Sequence, residues 1–118
     1  MKKIFLVEDD YSLRELIGFL LIEKDYKVKA FPTATSFKNT INQELPDLIL
    51  MDIMLPDGNG VDLCRNIKNV KETKNIPVLL MSAHANPSIV KGSGANSFLA
   101  KPFDVEELYD SIEKISSI

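Results

Sequence analysis

The stretch Leu48-Ile49-Leu50-Met51-Asp52-Ile53-Met54-Leu55-Pro56-Asp57-Gly58-Asn59-Gly60 opens with an apolar run that stops at an acid and then enters a loop. A short, continuously apolar run such as Leu48 to Met51 suits a strand buried on both faces. Pro56 to Gly60 is a strong loop signal. Working outward, the same pattern recurs three times. Ile4 to Val7 stops at Glu8-Asp9-Asp10, Val78 to Met81 stops at Ser82, and Ser97 to Ala100 stops at Lys101. Lys27 to Phe31, with lysines interleaved, suits an edge strand protected from stray pairing. Between these runs lie amphipathic segments. Leu13, Leu16, Ile17, Leu20 and Leu21 have helical spacing, with Ser12 and Glu15 placed as a capping box. Phe37 and Ile41 mark a second helix within Thr33 to Gln43. Val61, Cys64 and Ile67 mark a third. Leu108, Ile112 and Ile115 mark a last one, opened by Asp104 with Glu107. Strands that alternate with helices imply a parallel sheet covered on both faces.

Composition narrows the function classes. The chain has 118 residues, enough for one domain with its own core. Hydrophobic residues make up 45% and charged residues 26%, ordinary for a globular domain. The net charge of −3 argues against a nucleic-acid-binding surface. One cysteine and one histidine exclude an internal disulfide and a zinc site of their own. No apolar run approaches a membrane span. The opening Met1 to Glu8 is too briefly apolar for a signal peptide. These features predict a cytoplasmic single domain over 1–118.

The strand ends carry the chemistry. In an open parallel sheet the site lies beyond the carboxyl ends of the strands, where strand order reverses. There Glu8, Asp9, Asp10, Asp52, Ser82 and Lys101 would converge. Clustered carboxylates repel unless a cation sits among them. Hard oxygen donors of this kind favour Mg²⁺. A carboxylate beside Mg²⁺ can take a phosphoryl group as an acyl phosphate. Glu8 and Asp9 would hold the metal, Asp52 would be the nucleophile, Lys101 would supply charge, and Ser82 a hydrogen bond.

These motifs, together with Met81-Ser82-Ala83-His84 and Phe98-Leu99-Ala100-Lys101-Pro102-Phe103, run from near the start of the chain to near its end. In that order and at those strand ends they closely resemble the response-regulator receiver domains of two-component signalling. The resemblance implies a doubly wound α/β fold with a five-stranded parallel sheet in the flavodoxin-like order 2-1-3-4-5. It implies that Asp52 is the phosphoacceptor. Asp9, Glu8, Asp52 and the backbone carbonyl of Met54 would bind Mg²⁺, and Asp10 would be an extra acid. Ser82 and Lys101 would contact the phosphoryl group, Phe98 would be a switch aromatic, and Pro102 would follow a cis peptide bond. The Met54 and His84 side chains would stand at the positions that tune dephosphorylation. The implied partners are a histidine kinase or histidine phosphotransfer protein and a downstream protein target or effector domain, with neither nucleic acid nor membrane bound directly. The chain would catalyse its own phosphorylation and dephosphorylation without being a turnover enzyme.

One segment departs from the family. Ser82 to Lys101 is a few residues short, and His84 to Asn96 holds Pro87, Gly92 and Gly94. The fourth helix is therefore predicted to be shortened or missing, which bears on the output face. A constitutive interaction module with an altered switch is the alternative reading. A phosphatase using Asp52 is weaker, since no second acid stands two residues after it. Simpler roles also exist for single residues: Asp10 as a helix cap, Phe98 as core, His84 as an exposed loop residue, Cys64 as a small buried hydrophobe. Asp57 to Asp62 has the look of a calcium loop, but Lys68 stands where the bidentate Glu belongs. No Walker A sequence is present. The sequence is compatible with either a stand-alone receiver or part of a longer regulator.

Overall fold

The computed structural model describes residues 2–84 and 87–116, so both ends of the predicted 1–118 domain lie outside it. Five strands form one parallel sheet: β1 (Lys3–Val7), β2 (Lys27–Phe31), β3 (Leu48–Asp52), β6 (Val78–Ser82) and β7 (Ser97–Ala100). Their order is β2-β1-β3-β6-β7. Between β3 and β6, β4 (Met54–Leu55) and β5 (Gly58–Asn59) pair with each other as a small antiparallel hairpin. With the hairpin set aside, this is the doubly wound order expected from the sequence. Over this hairpin the sequence predicts only a loop, because two-residue strands are too short to show a period.

Alternation along the strands builds two cores. Phe5, Val7, Ile49, Met51, Val78 and Leu80 face one side, packed against α2 (Ala34–Ile41) and α3 (Gly60–Asn69). There Phe5, Phe31 and Phe37 meet edge to face, with centroids 5.1 to 6.4 Å apart. Ile4, Leu6, Leu48, Leu50, Leu79, Met81 and Leu99 face the other side, against α1 (Tyr11–Glu23) and α5 (Val105–Ser116). Cys64 is buried among apolar neighbours, as a small hydrophobe should be.

Helix ends follow their caps, with one correction. Asp104 and Glu107 form the reciprocal capping box at α5: each carboxylate accepts the other residue's backbone N–H, at 2.8 and 3.1 Å. At α1 the cap is Asp10, whose carboxylate accepts the Leu13 N–H at 2.8 Å. Ser12, expected to cap, lies inside the helix. The chain leaves β1 through a tight acidic turn, so the helix begins earlier than periodicity suggests. Nor are all the α1 leucines inward. Ile17 and Leu21 are buried, whereas Leu16 is 54% exposed and Phe19 59%.

The fourth helix, α4 (Pro87–Val90), is a single turn, followed by Gly92 and Gly94 at φ +86° and +84°. Positive φ suits glycine and cannot continue a helix. Residues 85 and 86 of this segment lie outside the described part. Among the described residues no helix is long and apolar enough to cross a membrane.

Candidate functional site

Sheet register assembles the site. Val7 lies opposite Met51, Asp52 opposite Met81, and Ser82 opposite Ala100. The residues that follow these pairs therefore emerge together at the carboxyl edge. Alternation carries Glu8 on from Ile4 and Leu6, Asp52 on from Leu48 and Leu50, and Lys101 on from Leu99. The three charged side chains thus leave the sheet on the α1 and α5 side. A cavity of 310 Å³ collects Glu8, Asp9, Asp10, Asp52, Met54, Ser82, Ala83, His84 and Lys101.

Glu8 is the most constrained acid, only 1% exposed. Its Oε1 accepts a hydrogen bond from Lys101 Nζ at 2.7 Å, and its Oε2 accepts the Asp10 N–H at 3.0 Å. Lys101 Nζ also contacts Asp52 Oδ2, while Asp52 Oδ1 accepts the Met54 N–H at 3.0 Å. One ammonium therefore bridges two carboxylates. Burial raises the Glu8 carboxyl, against Lys101 and the Asp10 N–H, and the Asp52 charge pushes it further up. Burial pulls Lys101 down, but its hydrogen bonds to Asp52 and Glu8 outweigh that and hold the ammonium above its usual range.

Glu8, Asp9 and Asp52 each offer an oxygen within 4.8 Å of the others. Three hard donors converging so closely fit Mg²⁺, whose ligands are carboxylates and whose remaining positions are filled by water and phosphate. Glu8 is already engaged by Lys101, whereas Asp9 is exposed and its carboxylate has no hydrogen-bond partner among the described residues.

Ser82 is buried; its Oγ accepts the His84 N–H at 3.0 Å and its carbonyl accepts the Lys101 N–H at 2.9 Å. The Lys101–Pro102 peptide is cis. Met54 is 62% exposed at the cavity, and His84 is exposed beside it. Asp10, the extra acid, is occupied as the α1 cap. Phe98 is not brought to the cavity: it is half-buried on the opposite face, paired in register with Leu80.

Three supporting residues escaped the sequence reading. Asp57 accepts the Ala34 N–H (2.7 Å), the Thr35 N–H (2.9 Å) and the Thr35 hydroxyl (2.6 Å), tying the loop after Asp52 to the start of α2. Gly60 packs so closely that a Cβ there would strike the Asp52 carbonyl oxygen and lie 2.8 Å from Ile53 Cα. Arg14 donates to the carbonyls of Glu8 (2.8 Å) and Asp9 (3.2 Å). A glycine just after the loop that follows Asp52, and a cation one turn into the helix after an acidic triplet, are the available signals.

The arrangement matches known proteins along nearly its whole length. The family described as the response regulator receiver domain matches residues 4–113. The phosphate regulon transcriptional regulatory protein PhoB of Escherichia coli (strain K12) is 32% identical over 97% of this chain, which covers 51% of that protein. The chain thus spans about half the length of this curated relative. The non-phosphorylated HemR receiver domain from Leptospira biflexa is 34% identical, with a TM-score of 0.89, covering 100% of this chain and 96% of that one. The receiver domain of the sensor histidine kinase PA1611 from Pseudomonas aeruginosa PAO1 was solved with a magnesium ion coordinated in its active site cleft. It is 25% identical at a TM-score of 0.89, covering 99% of this chain and 98% of that one. The shared fold, the strand-end acids and the family match lead to one conclusion: this chain belongs to the response regulator receiver domains of two-component systems.

Proposed function

We propose that this domain is a phosphoacceptor switch that takes a phosphoryl group on Asp52. The observation that carries this is the buried Glu8–Lys101–Asp52 cluster beside the exposed Asp9. Asp52 Oδ would attack the phosphorus of a phosphohistidine on a histidine kinase or phosphotransfer protein. A P–O bond forms as the P–N bond breaks. The electron pair stays on the imidazole nitrogen, which is then protonated from solvent. Asp9, Asp52, Glu8 and the Met54 carbonyl would hold Mg²⁺, whose chemistry when bound is to neutralise the phosphoryl oxygens. Lys101 would exchange its contact with Asp52 for one with the phosphoryl group, and the Ser82 hydroxyl would donate to a phosphoryl oxygen. Water attacking phosphorus past Met54 and His84 would form a new P–O bond as the bond to Asp52 Oδ breaks, releasing inorganic phosphate and regenerating the Asp52 carboxylate.

A groove of 490 Å³ supports a docking place for the donor. It is lined by Leu13, Leu16, Leu20, Phe103 and Val105 and shares Ala83 and Lys101 with the acidic cavity. A helix carrying phosphohistidine, laid on α1, would bring its phosphoryl group to Asp52. The output would be altered binding of a protein target or effector domain.

Incubation with Mg²⁺ and acetyl phosphate, followed by intact mass, tests this. A single adduct, absent from Asp52→Asn and absent without Mg²⁺, is expected. Failure to form it while Mg²⁺ binds would leave the second reading, a constitutive interaction module. The single-turn α4 favours that alternative, because it curtails the surface that would respond.

A further inference from the structure

We propose that Arg14 is a positioning residue for metal binding, one that fixes the backbone on which Asp9 stands; this rests on the Mg²⁺ reading of the site. The Asp9 Cα lies between two peptide units, one made of the Glu8 carbonyl and the Asp9 N–H and the other beginning with the Asp9 carbonyl. A single guanidinium nitrogen, Nη1, donates to both carbonyl oxygens, at 2.8 and 3.2 Å. Holding both peptides sets the direction of the Asp9 Cα–Cβ bond. The neighbouring acids have other anchors: Glu8 is held by Lys101 and by the Asp10 N–H, and Asp10 by the Leu13 N–H. The carboxylate of Asp9 has none among the described residues, so its placement depends on its backbone. Arg14 is itself steadied. It projects from α1, is half-buried, and its guanidinium carbon lies 5.6 Å from the Tyr11 ring centroid.

Two effects of Arg14 on a bound cation oppose each other. Its charge repels Mg²⁺, while its hydrogen bonds pre-organise a ligand that would otherwise have to be ordered on binding. The two carbonyl oxygens take up part of the charge, and ordering wins. Replacing the side chain should therefore weaken metal binding, where charge alone would strengthen it.

Calorimetric Mg²⁺ titration of the wild type, Arg14→Met and Arg14→Lys, with thermal midpoints in metal-free buffer, tests the proposal. Loss of a group that orients a metal ligand typically lowers affinity by about 10- to 100-fold, and Arg14→Met should fall near the lower end, since it acts through the backbone. Arg14→Lys retains donor and charge and should restore most of the affinity. A changed midpoint with an unchanged Mg²⁺ Kd would make Arg14 merely structural, and tighter binding by Arg14→Met would make its charge dominant; either overturns the proposal. Should Arg14→Met fail to fold, Arg14→Gln, too short to span both carbonyls, makes the same comparison. If the wild type itself binds no Mg²⁺, the site reading falls, a result separable from failure of the variant alone.

Discussion

Lys101 Nζ lies 2.7 Å from Glu8 Oε1, although 93 residues separate them in the chain, and Glu8 is 1% exposed. The ammonium is what makes a buried carboxylate tolerable there. Lys101→Met should therefore destabilise the metal-free domain by about 3 kcal/mol, the lower range for breaking a buried pair. Millimolar Mg²⁺ should recover part of that loss by replacing the missing cation. Urea unfolding of wild type and variant, with and without Mg²⁺, measures both quantities. The pair also sets a pH limit. Because Lys101 is raised, its contribution is complete below the unfolded lysine value and is lost as pH rises through the folded one.

Gly60 and Gly18 should respond oppositely to alanine. At Gly60 the new methyl meets the backbone of Asp52 and Ile53, which cannot swing aside. Gly60→Ala should cost about 2–3 kcal/mol, at the upper end for overpacking, and slow adduct formation by shifting Asp52. Gly18 lies inside α1 with nothing within 4 Å of its would-be Cβ. Gly18→Ala should gain about 0.5–1 kcal/mol from helix propensity and a less flexible unfolded chain. Denaturation midpoints of the two variants, compared at equal slope, decide it.

Asp57 gives a low-pH signature. The Thr35 hydroxyl, then the Thr35 and Ala34 N–H groups, hold its carboxyl down at about 2. Its stabilisation is present above the unfolded aspartate value, about 3.9, and fades as pH falls through the folded one. Asp57→Ala should lower the thermal midpoint at pH 7 and make little difference near pH 2. Glu44, also held at about 2 by Lys29 and Lys3, adds to the same acid limb. A thermal-midpoint profile against pH, wild type over variant, reads the difference.

The α1 groove separates protein donors from small ones. Leu16→Asp places a charge on the exposed apolar face without touching the acidic cavity. It should slow transfer from a histidine phosphotransfer partner much more than from acetyl phosphate. Equal slowing of both would remove the groove from donor recognition.

Amide chemical shifts distinguish a working switch from a constitutive module. On acetyl phosphate and Mg²⁺ addition, a switch should show changes from Asp52 through Ser82 to Phe98 on β7. Changes confined to the acidic cavity would favour the module, in keeping with the single-turn α4.

Local pattern alone determined a great deal. Apolar runs ending in Glu8, Asp52, Ser82 and Lys101 located four strands and the polar groups at their carboxyl ends, because strand burial and helix amphipathicity are short-period properties. The Asp104–Glu107 capping box and the shortened fourth helix were legible for the same reason, since caps and glycine conformations act over a few residues. Tertiary structure decided the rest. Whether Asp10 or Ser12 caps α1 depended on the turn leaving β1. The burial of Glu8 depended on a lysine 93 residues away. Asp57 on Thr35, Gly60 against Asp52, and Arg14 across the Glu8 and Asp9 carbonyls all depend on how loops settle once the sheet is registered. Such contacts have no period in the chain. They exist because packing brings distant backbone within hydrogen-bond or van der Waals reach, and only the assembled fold sets those distances.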